Sequence, residues 1–434
     1  MNTRDTLNFN EKGILEIGGV DVKELVSRYG TPLYVFDKAY IENICKAFSE
    51  SLDKYYGFGK IFYASKAFCC KEIYRVTVGF GLGADVVSSG EIYTALAAGQ
   101  RAENLCFHGN NKSFADLEYA VDSGVGYIVI DALSEIDDLS KICKAKNIRQ
   151  KVLLRVNPGV EAHTHHYIQT AKPDSKFGFS IDNGDADIAV KKLVNSPEID
   201  FCGLHCHIGS QIFEKTSFII AVDKMTDYYK KVSVGLGANL SVFNLGGGFG
   251  IYYTDADPKF SLNDYADYVK TICETLTDCV AKKGINKPYL ILEPGRSIVG
   301  EAGVTLYTVG RIKEIKGLKN YLSIDGGMFE NPRFALYQAK YSVVAAENGN
   351  AKQVKTYTIA GKCCESGDVI AENVTLPEMQ EGEILAVLST GAYNYSMASN
   401  YNRNFVPPVV MVKDGKSYLA VKPQNFEDLI LHDL

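Results

Sequence analysis

The feature that most constrains this 434-residue chain is a series of short apolar, β-branched segments that alternate with helix-patterned stretches. KIFYA (60–64), GADVV (83–87), NLCFH (104–108), GYIVI (126–130), KVLLRV (151–156), FCGLHCHI (201–208), SVFNLG (241–246) and YLILE (289–293) make eight such segments. The first five begin 21 to 25 residues apart, at 60, 83, 104, 126 and 151, which is the length of one strand–helix unit. Between them, stretches such as SGEIYTALAAG and LSEIDDLSKICKAKN carry helical spacing of their apolar residues. Eight buried strands alternating with helices predict an α/β fold, a TIM-like (β/α)8 barrel rather than an open doubly wound sheet. The later units are longer, about 40 to 50 residues, which implies loops added on one side of the barrel. In such barrels that side is the C-terminal face, where chemistry sits.

Beyond about residue 300 the texture changes to strand-like runs without helices between them: GVTLYTVGRI, YLSID, QVKTYTIAG, EILAVLST and PVVMVKDGKSYLAV. A C-terminal all-β domain follows, with PRFALYQA at 332–339 as a short helix or turn inside it. The expected division is an N-terminal segment at 1–32 whose ILEIGGVDV joins the β-domain, a barrel at 33–300, and the β-domain at 301–434. No internal repeat or low-complexity linker interrupts this order.

Composition narrows the function. A net charge of -6 and a pI near 5.8 give no general attraction to nucleic acid or to anionic lipid, so a small-molecule ligand is expected. The first twenty residues are polar, and no later run approaches the roughly 18 apolar residues of a membrane span. A soluble, cytoplasmic protein is the expectation. The eleven cysteines are scattered, odd in number and include the adjacent pairs Cys69-Cys70 and Cys363-Cys364, with no CxxC spacing. Reduced thiols fit that pattern better than a disulfide framework or a zinc knuckle.

The chemistry-bearing residues cluster at strand ends. Lys66 in KIFYASKAF directly follows the first apolar run, where a barrel aims it into the active-site mouth and partial desolvation suits a Schiff-base lysine. Taken alone it is better read as a snorkelling strand-end lysine. The seventh run ends in NLGGGFGI, where Gly246, Gly247, Gly248 and Gly250 allow consecutive backbone N–H groups to face an anion such as a phosphate. The eighth ends in LEPGRS, which brings Glu293 and Arg296 to the same face. A carboxylate there can keep the pyridine nitrogen of pyridoxal 5'-phosphate (PLP) protonated. The sixth ends in LHCHIGSQ, which places His207 where an imidazole can stack on a flat ring, and Ser210 where a hydroxyl can meet a phosphate.

YASKA, HTHHYIQTAKPDSKFGF, HCHIGSQ, GGGFGI, EPGRS, CESGD and GAYNYSMASNYN occur in this order, and the set resembles the alanine-racemase-like, fold-type III PLP decarboxylases. The resemblance runs from about residue 8 to the C-terminus, and seven ordered motifs are far more specific than any one. It implies a PLP-binding barrel, a C-terminal β-domain and a head-to-tail homodimer whose active sites are shared. It further implies that Lys66 carries the coenzyme, His207 stacks on its ring, and Glu293 partners the pyridine nitrogen. The glycines 246–250, with Ser210 and Tyr393 of GAY, would hold the phosphate. Asp85, opening DVVSSGE, would lie near Lys66. Arg296, Arg333 and Tyr337 of NPRFALY would grip a substrate carboxylate, with Tyr401 of ASNYN a further substrate-side residue. From the partner subunit, CESGD would bring Cys364 as the proton donor and Glu365 to the substrate's distal ammonium. The family's lysine motif continues with asparagine where this chain has Phe68-Cys69-Cys70, which bears on local packing beside the lysine.

The substrate so implied is meso-2,6-diaminopimelate, decarboxylated to L-lysine, because a second amino-acid end calls for a cation and an anion together. Decarboxylases of ornithine, lysine, arginine or carboxynorspermidine are the alternatives on the same fold. CESGD in place of the CDGxD of ornithine-type relatives favours the diaminopimelate reading. An inactive regulatory homologue is the non-enzyme alternative, and retention of Lys66, Glu293 and Cys364 argues against it. Three further features carry less. GFGLGADVV at 79–87 has its glycines before the strand, whereas a dinucleotide fingerprint follows one, so a turn is expected. His163, His165 and His166 are too close in sequence to face one ion, so no metal is expected, and the resemblance implies a loop over the active site. Cys364 would ordinarily be an inert buried thiol, and only its CESGD context lifts it above that.

Overall fold

A computed structural model describes residues 4–160 and 175–434, so the three histidines at 163, 165 and 166 lie outside the described residues. The eight apolar runs form eight strands: β1 (Gly59–Ala64), β2 (Gly83–Val86), β3 (Leu105–Phe107), β4 (Tyr127–Ile130), β5 (Gln150–Asn157), β6 (Ile199–His205), β7 (Val242–Asn244) and β8 (Tyr289–Leu292). Each pairs in parallel with its chain neighbours, β8 returns to β1, and the ring closes as the barrel predicted from sequence. A two-residue strand, Phe179–Ser180, adds to β5.

Closing eight strands leaves little interior volume. Phe62, Cys106, Val129, Leu153, Cys202, Val242 and Ile291 fill it, one from each strand except β2. That strand carries Gly83, where a Cβ would stand 2.8 Å from the Phe62 ring and 2.7 Å from the Asn104 carbonyl. A glycine there leaves room for both the phenyl ring and the Asn104 carbonyl. Serine hydroxyls accept N–H bonds at the starts of the helices Ser89–Ala97 (cap Ser88), Phe114–Asp122 (Ser113) and Leu262–Lys283 (Ser261), satisfying amide groups that a helix start leaves open. Gly81, at φ 73°, turns the chain into β2, so the GFGLG run is a turn.

The chain divides into two compact units, residues 44–250 with 260–295, and residues 1–43 with 251–259 and 296–434. The second is built on a mixed sheet that includes Gly303–Ile315, Lys319–Ile324, Lys355–Ala360, Val369–Leu376 and Ile384–Leu388. Val409–Lys413 and Lys416–Val421 form its far hairpin. One of the expected boundaries moves. Leu33–Asp37, assigned above to the barrel side, lies between Gly303–Ile315 and Val409–Lys413 in this mixed sheet. ILEIGGVDV does join the β-unit, but through a separate three-stranded sheet, Leu7–Phe9, Leu15–Ile17 and Val20–Asp21. Leu15, Ile17, Val20 and Leu25 pack there with Val35, Val304, Leu306 and Val410 in one apolar cluster. The helix expected in PRFALYQA is Arg333–Tyr337.

Candidate active site

The strand ends of the barrel unit gather a chain of charged and aromatic groups. Lys66 sits in a single turn, Ser65–Ala67, directly after β1, and its Nζ pairs with Asp85 Oδ2 at the end of β2. Asp85 is fully buried while the Lys66 side chain is 40% exposed. The ammonium is therefore met by a buried carboxylate, the neighbour that the resemblance implied for Lys66. Asp85 Oδ1 has no hydrogen-bond partner and stands 3.8 Å from His108 Nε2. His108 Nε2 in turn lies 2.8 Å from Glu293 Oε1, which also accepts from Asn244 Nδ2 at 2.6 Å. His205 Nε2 faces the other oxygen, Glu293 Oε2, at 3.4 Å, and its ring meets His108 edge-on at 4.8 Å.

This packing sets protonation. Burial pushes His205 down to about 4, so it faces Glu293 as a neutral ring. Burial alone would raise the Glu293 carboxyl, but His108 and His205 against it outweigh that and hold it well below the usual carboxylate range. His207 is held well below the ordinary imidazole value by burial and then by the nearby charges of Arg155 and Lys66. Burial raises Glu91, whose carboxylate accepts from the Val87 amide, to about 7. Cys106 offers a third donor atom within 4.8 Å of His108 and Glu293. Burial pushes that thiol well above its ordinary value.

The glycine run behaves differently from the row of anion-facing amides expected of it. Gly246 N–H donates to Asn244 Oδ1 at 2.9 Å, Gly247 N–H to His207 Nδ1 at 3.3 Å, and Gly250 N–H to the Ile212 carbonyl at 3.0 Å. Three of the four amides are thus committed inside the protein. A Cβ on Gly247 would stand 2.1 Å from the Glu293 carbonyl, and one on Gly248, at φ 109°, 2.4 Å from the Gly209 carbonyl. The run lets the ends of β6, β7 and β8 approach one another and thereby places His207 and Glu293. Ser210 lies partly buried in the loop after β6. Phe68 is fully buried and Cys70 nearly so, with Tyr63 Oη donating to the Phe68 carbonyl at 2.7 Å, so the Phe68-Cys69-Cys70 departure is absorbed as packing.

The β-unit holds a second cluster. Arg296 and Arg333 are each 8% exposed, and Nη1 of both donates to the Tyr253 hydroxyl, from Arg333 at 3.1 Å. Arg333 Nη1 also reaches Tyr341 Oη at 2.6 Å. Both guanidinium groups lie over the Tyr393 ring, at 4.8 and 5.9 Å. Tyr337 and Tyr401 are roughly half exposed, and neither joins this cluster among the described residues. Cys364 is the exposed cysteine of the eleven, with its amide donating to Asn402 Oδ1 at 3.0 Å, and Glu365 is exposed beside it. The buried Asp368 carboxylate holds this CESGD loop by accepting from the Cys363 amide at 2.7 Å and the Met328 amide at 2.6 Å.

Sequence reasoning passed over His108, His205, Asn244, Tyr253 and Tyr341. The first three stand at the ends of apolar runs, the same signal that singled out Lys66, so they were findable. Tyr253 and Tyr341 follow no such rule.

Residues 38–300 match the family model described as the pyridoxal binding domain of pyridoxal-dependent decarboxylases. The chain belongs to that family. Within it, the full-length likeness is to the diaminopimelate decarboxylases. The chain is 46% identical to that of Bacillus subtilis, over 98% of this chain and 96% of the relative, and 44% identical to that of Staphylococcus aureus, over 99% of each. Among solved structures, the diaminopimelate decarboxylase of M. jannaschii in co-complex with L-lysine superposes with a TM-score of 0.91 at 32% identity, covering 99% of this chain and 98% of that one. The residues of the barrel unit suit a pyridoxal cofactor. A carboxylate offers about four lone-pair sites, and Glu293 Oε2 retains capacity for a ring N–H donor beyond its contact with His205. The Asp85 Oδ1 atom left without a donor beside Lys66 is a second such opening.

Proposed function

We propose that the chain removes carbon dioxide from meso-2,6-diaminopimelate to leave L-lysine, with PLP held on Lys66. When bound, the cofactor supplies an electron sink for the bond that breaks. The observation that carries this reading is the buried, ionised Glu293. A carboxylate kept negative in a desolvated site is suited to hold a proton on a ring nitrogen, and His108 and Asn244 fix its orientation. Asp85, paired with Lys66, is suited to hold the lysine side chain in place and to balance a positive charge on its nitrogen. His207, held neutral, presents a flat face without a competing charge. With the Gly246, Gly247 and Gly250 amides committed inside the protein, Gly248, Ser210 and Tyr393 are the groups we assign to the phosphate.

Specificity is assigned to Arg296 and Arg333 for the carboxylate of the substrate's second amino-acid end and to Glu365 for its ammonium, with Tyr337 and Tyr401 as further substrate-side residues outside the arginine cluster. As the carbon–carbon bond breaks, carbon dioxide leaves and a proton must be delivered to the same carbon. Cys364 Sγ–H is the group assigned to deliver it, and the exposure of this thiol within one chain fits a residue that works in the site of a partner subunit. The assembly we propose is accordingly a head-to-tail homodimer. No helix among the described residues is long and apolar enough to cross a membrane, which accords with a cytoplasmic enzyme.

Carbon dioxide release from a panel of diaminopimelate, ornithine, lysine and arginine tests the substrate, with activity expected on diaminopimelate alone. Borohydride reduction of the holoenzyme followed by peptide mapping tests the lysine, and label on any residue but Lys66 overturns the assignment.

A further inference from the structure

The phenols around the two buried arginines are placed so that only their protons remain to be used. Tyr253 Oη accepts from Arg296 Nη1 and from Arg333 Nη1. Tyr341 Oη accepts from Arg333 Nη1 at 2.6 Å and from Asn394 Nδ2 at 3.3 Å. The direction of that last bond is fixed, because the same Nδ2 donates to the Thr390 carbonyl at 2.9 Å and the amide cannot be turned round. A hydroxyl has two acceptor lone pairs and one O–H, and a guanidinium has no acceptor at all. With both lone pairs filled, each phenol can only donate. Among the described residues no acceptor takes either proton, although Tyr253 and Tyr341 are just 8% and 5% exposed. Their rings meet edge-on at 5.4 Å, so the two hydroxyls converge on Arg333.

We propose that Tyr253 and Tyr341 are substrate-binding donors, which with Arg296 and Arg333 form an all-donor pocket that recognises a carboxylate. Such a pocket selects an acceptor-only anion and rejects a hydroxyl, an amide or an ammonium, each of which would bring a donor against donors. Arg296 and Arg333 pull the Tyr253 phenol below its ordinary value in spite of burial, which makes its O–H a stronger donor. A buried donor without an acceptor is costly, and an entering carboxylate relieves that cost. This inference rests on the diaminopimelate reading above and names the groups that read the substrate's second carboxylate.

The test compares the holoenzyme with Tyr253→Phe and Tyr341→Phe, using two inhibitors. L-Lysine keeps one carboxylate and 1,5-diaminopentane has none. Each substitution is expected to weaken inhibition by lysine about tenfold, the scale of a hydrogen bond to a charged group, and to leave diaminopentane within about twofold. The KM for diaminopimelate should rise with the lysine constant. A packing role would weaken both inhibitors alike, or lower cofactor absorbance while keeping their ratio, and either result overturns the proposal. A wild-type chain that releases no carbon dioxide from diaminopimelate overturns the proposed function and this inference with it. An active wild type with an unchanged inhibitor ratio in both variants overturns the inference alone.

Discussion

Glu293→Gln separates the charge at the centre of the barrel unit from its shape. The amide oxygen can keep the Oε1 position, accepting from His108 Nε2 and Asn244 Nδ2, which now stand at 2.8 and 2.6 Å. Its NH2 then replaces Oε2 opposite His205 Nε2, a neutral ring near pH 7 because burial has taken it to about 4. The network survives with neutral bonds in place of charge-assisted ones, which are about twice as strong, so the fold should lose only about 1 kcal/mol. The reaction should lose more, because a hydrogen bond from a protonated ring nitrogen to a carboxylate contributes about 1.5–3 kcal/mol. At about 1.4 kcal/mol per decade, turnover falls roughly ten- to 150-fold. The assay is carbon dioxide release at saturating diaminopimelate, with thermal unfolding run on the same samples. A variant that binds cofactor and turns over within about twofold of the wild type would refute the argument that the Glu293 charge carries the chemistry.

Three further outcomes are expected. Gly83→Ala puts a methyl 2.8 Å from the Phe62 ring and should cost about 1–3 kcal/mol, read as a lower Tm; Phe62→Leu in that background should recover part of it, and no recovery would mean the crowding lies elsewhere. His205 has its folded value depressed from 6.5 to about 4, so its contribution to stability is complete above pH 6.5 and is lost as pH falls through that window, by about 3 kcal/mol. Glu293, also held low, adds its own loss only below the usual carboxylate range, so urea unfolding of His205→Gln should show a flatter profile between pH 7 and pH 4.5. Lys66→Ala and Cys364→Ala, each weak alone, should on mixing regain about a quarter of wild-type activity if every active site draws on both subunits, since one site in half of the dimers is then intact; mixtures no better than the parents would count against the shared site.

The barrel was legible because its strands are continuous apolar runs set at one repeating distance, and the runs match the observed strands to within one or two residues at most ends. KIFYA, for example, is the body of Gly59–Ala64. Leu33–Asp37 was misplaced for a physical reason. All five of its residues are buried, so LYVFD looks like any barrel strand, while its partners Gly303–Ile315 and Val409–Lys413 lie far downstream. Burial is written in local composition, whereas the choice of partner is not. Val369–Leu376 was missed because its exposed Glu372 and Asn373 interrupt the apolar pattern of VIAENVTL.

The same distinction separates the site residues that were found from those that were not. Lys66 and Glu293 were visible because a charged residue at the end of an apolar strand has one place to go, the rim of the barrel. His108, His205 and Asn244 carried that signal too and belong to the same network. Tyr253 and Tyr341 did not, since among 27 tyrosines nothing in composition or spacing marks two whose lone pairs are taken. What marks them is an occupancy: an arginine on one side, an arginine or an amide on the other, and a proton left over. That property belongs to neither residue alone, and it exists only once Arg296, Arg333 and Asn394 have been brought together by the fold of the β-unit. A chain that kept all five residues but shifted the helix Arg333–Tyr337 by one position would keep the composition and lose the donors.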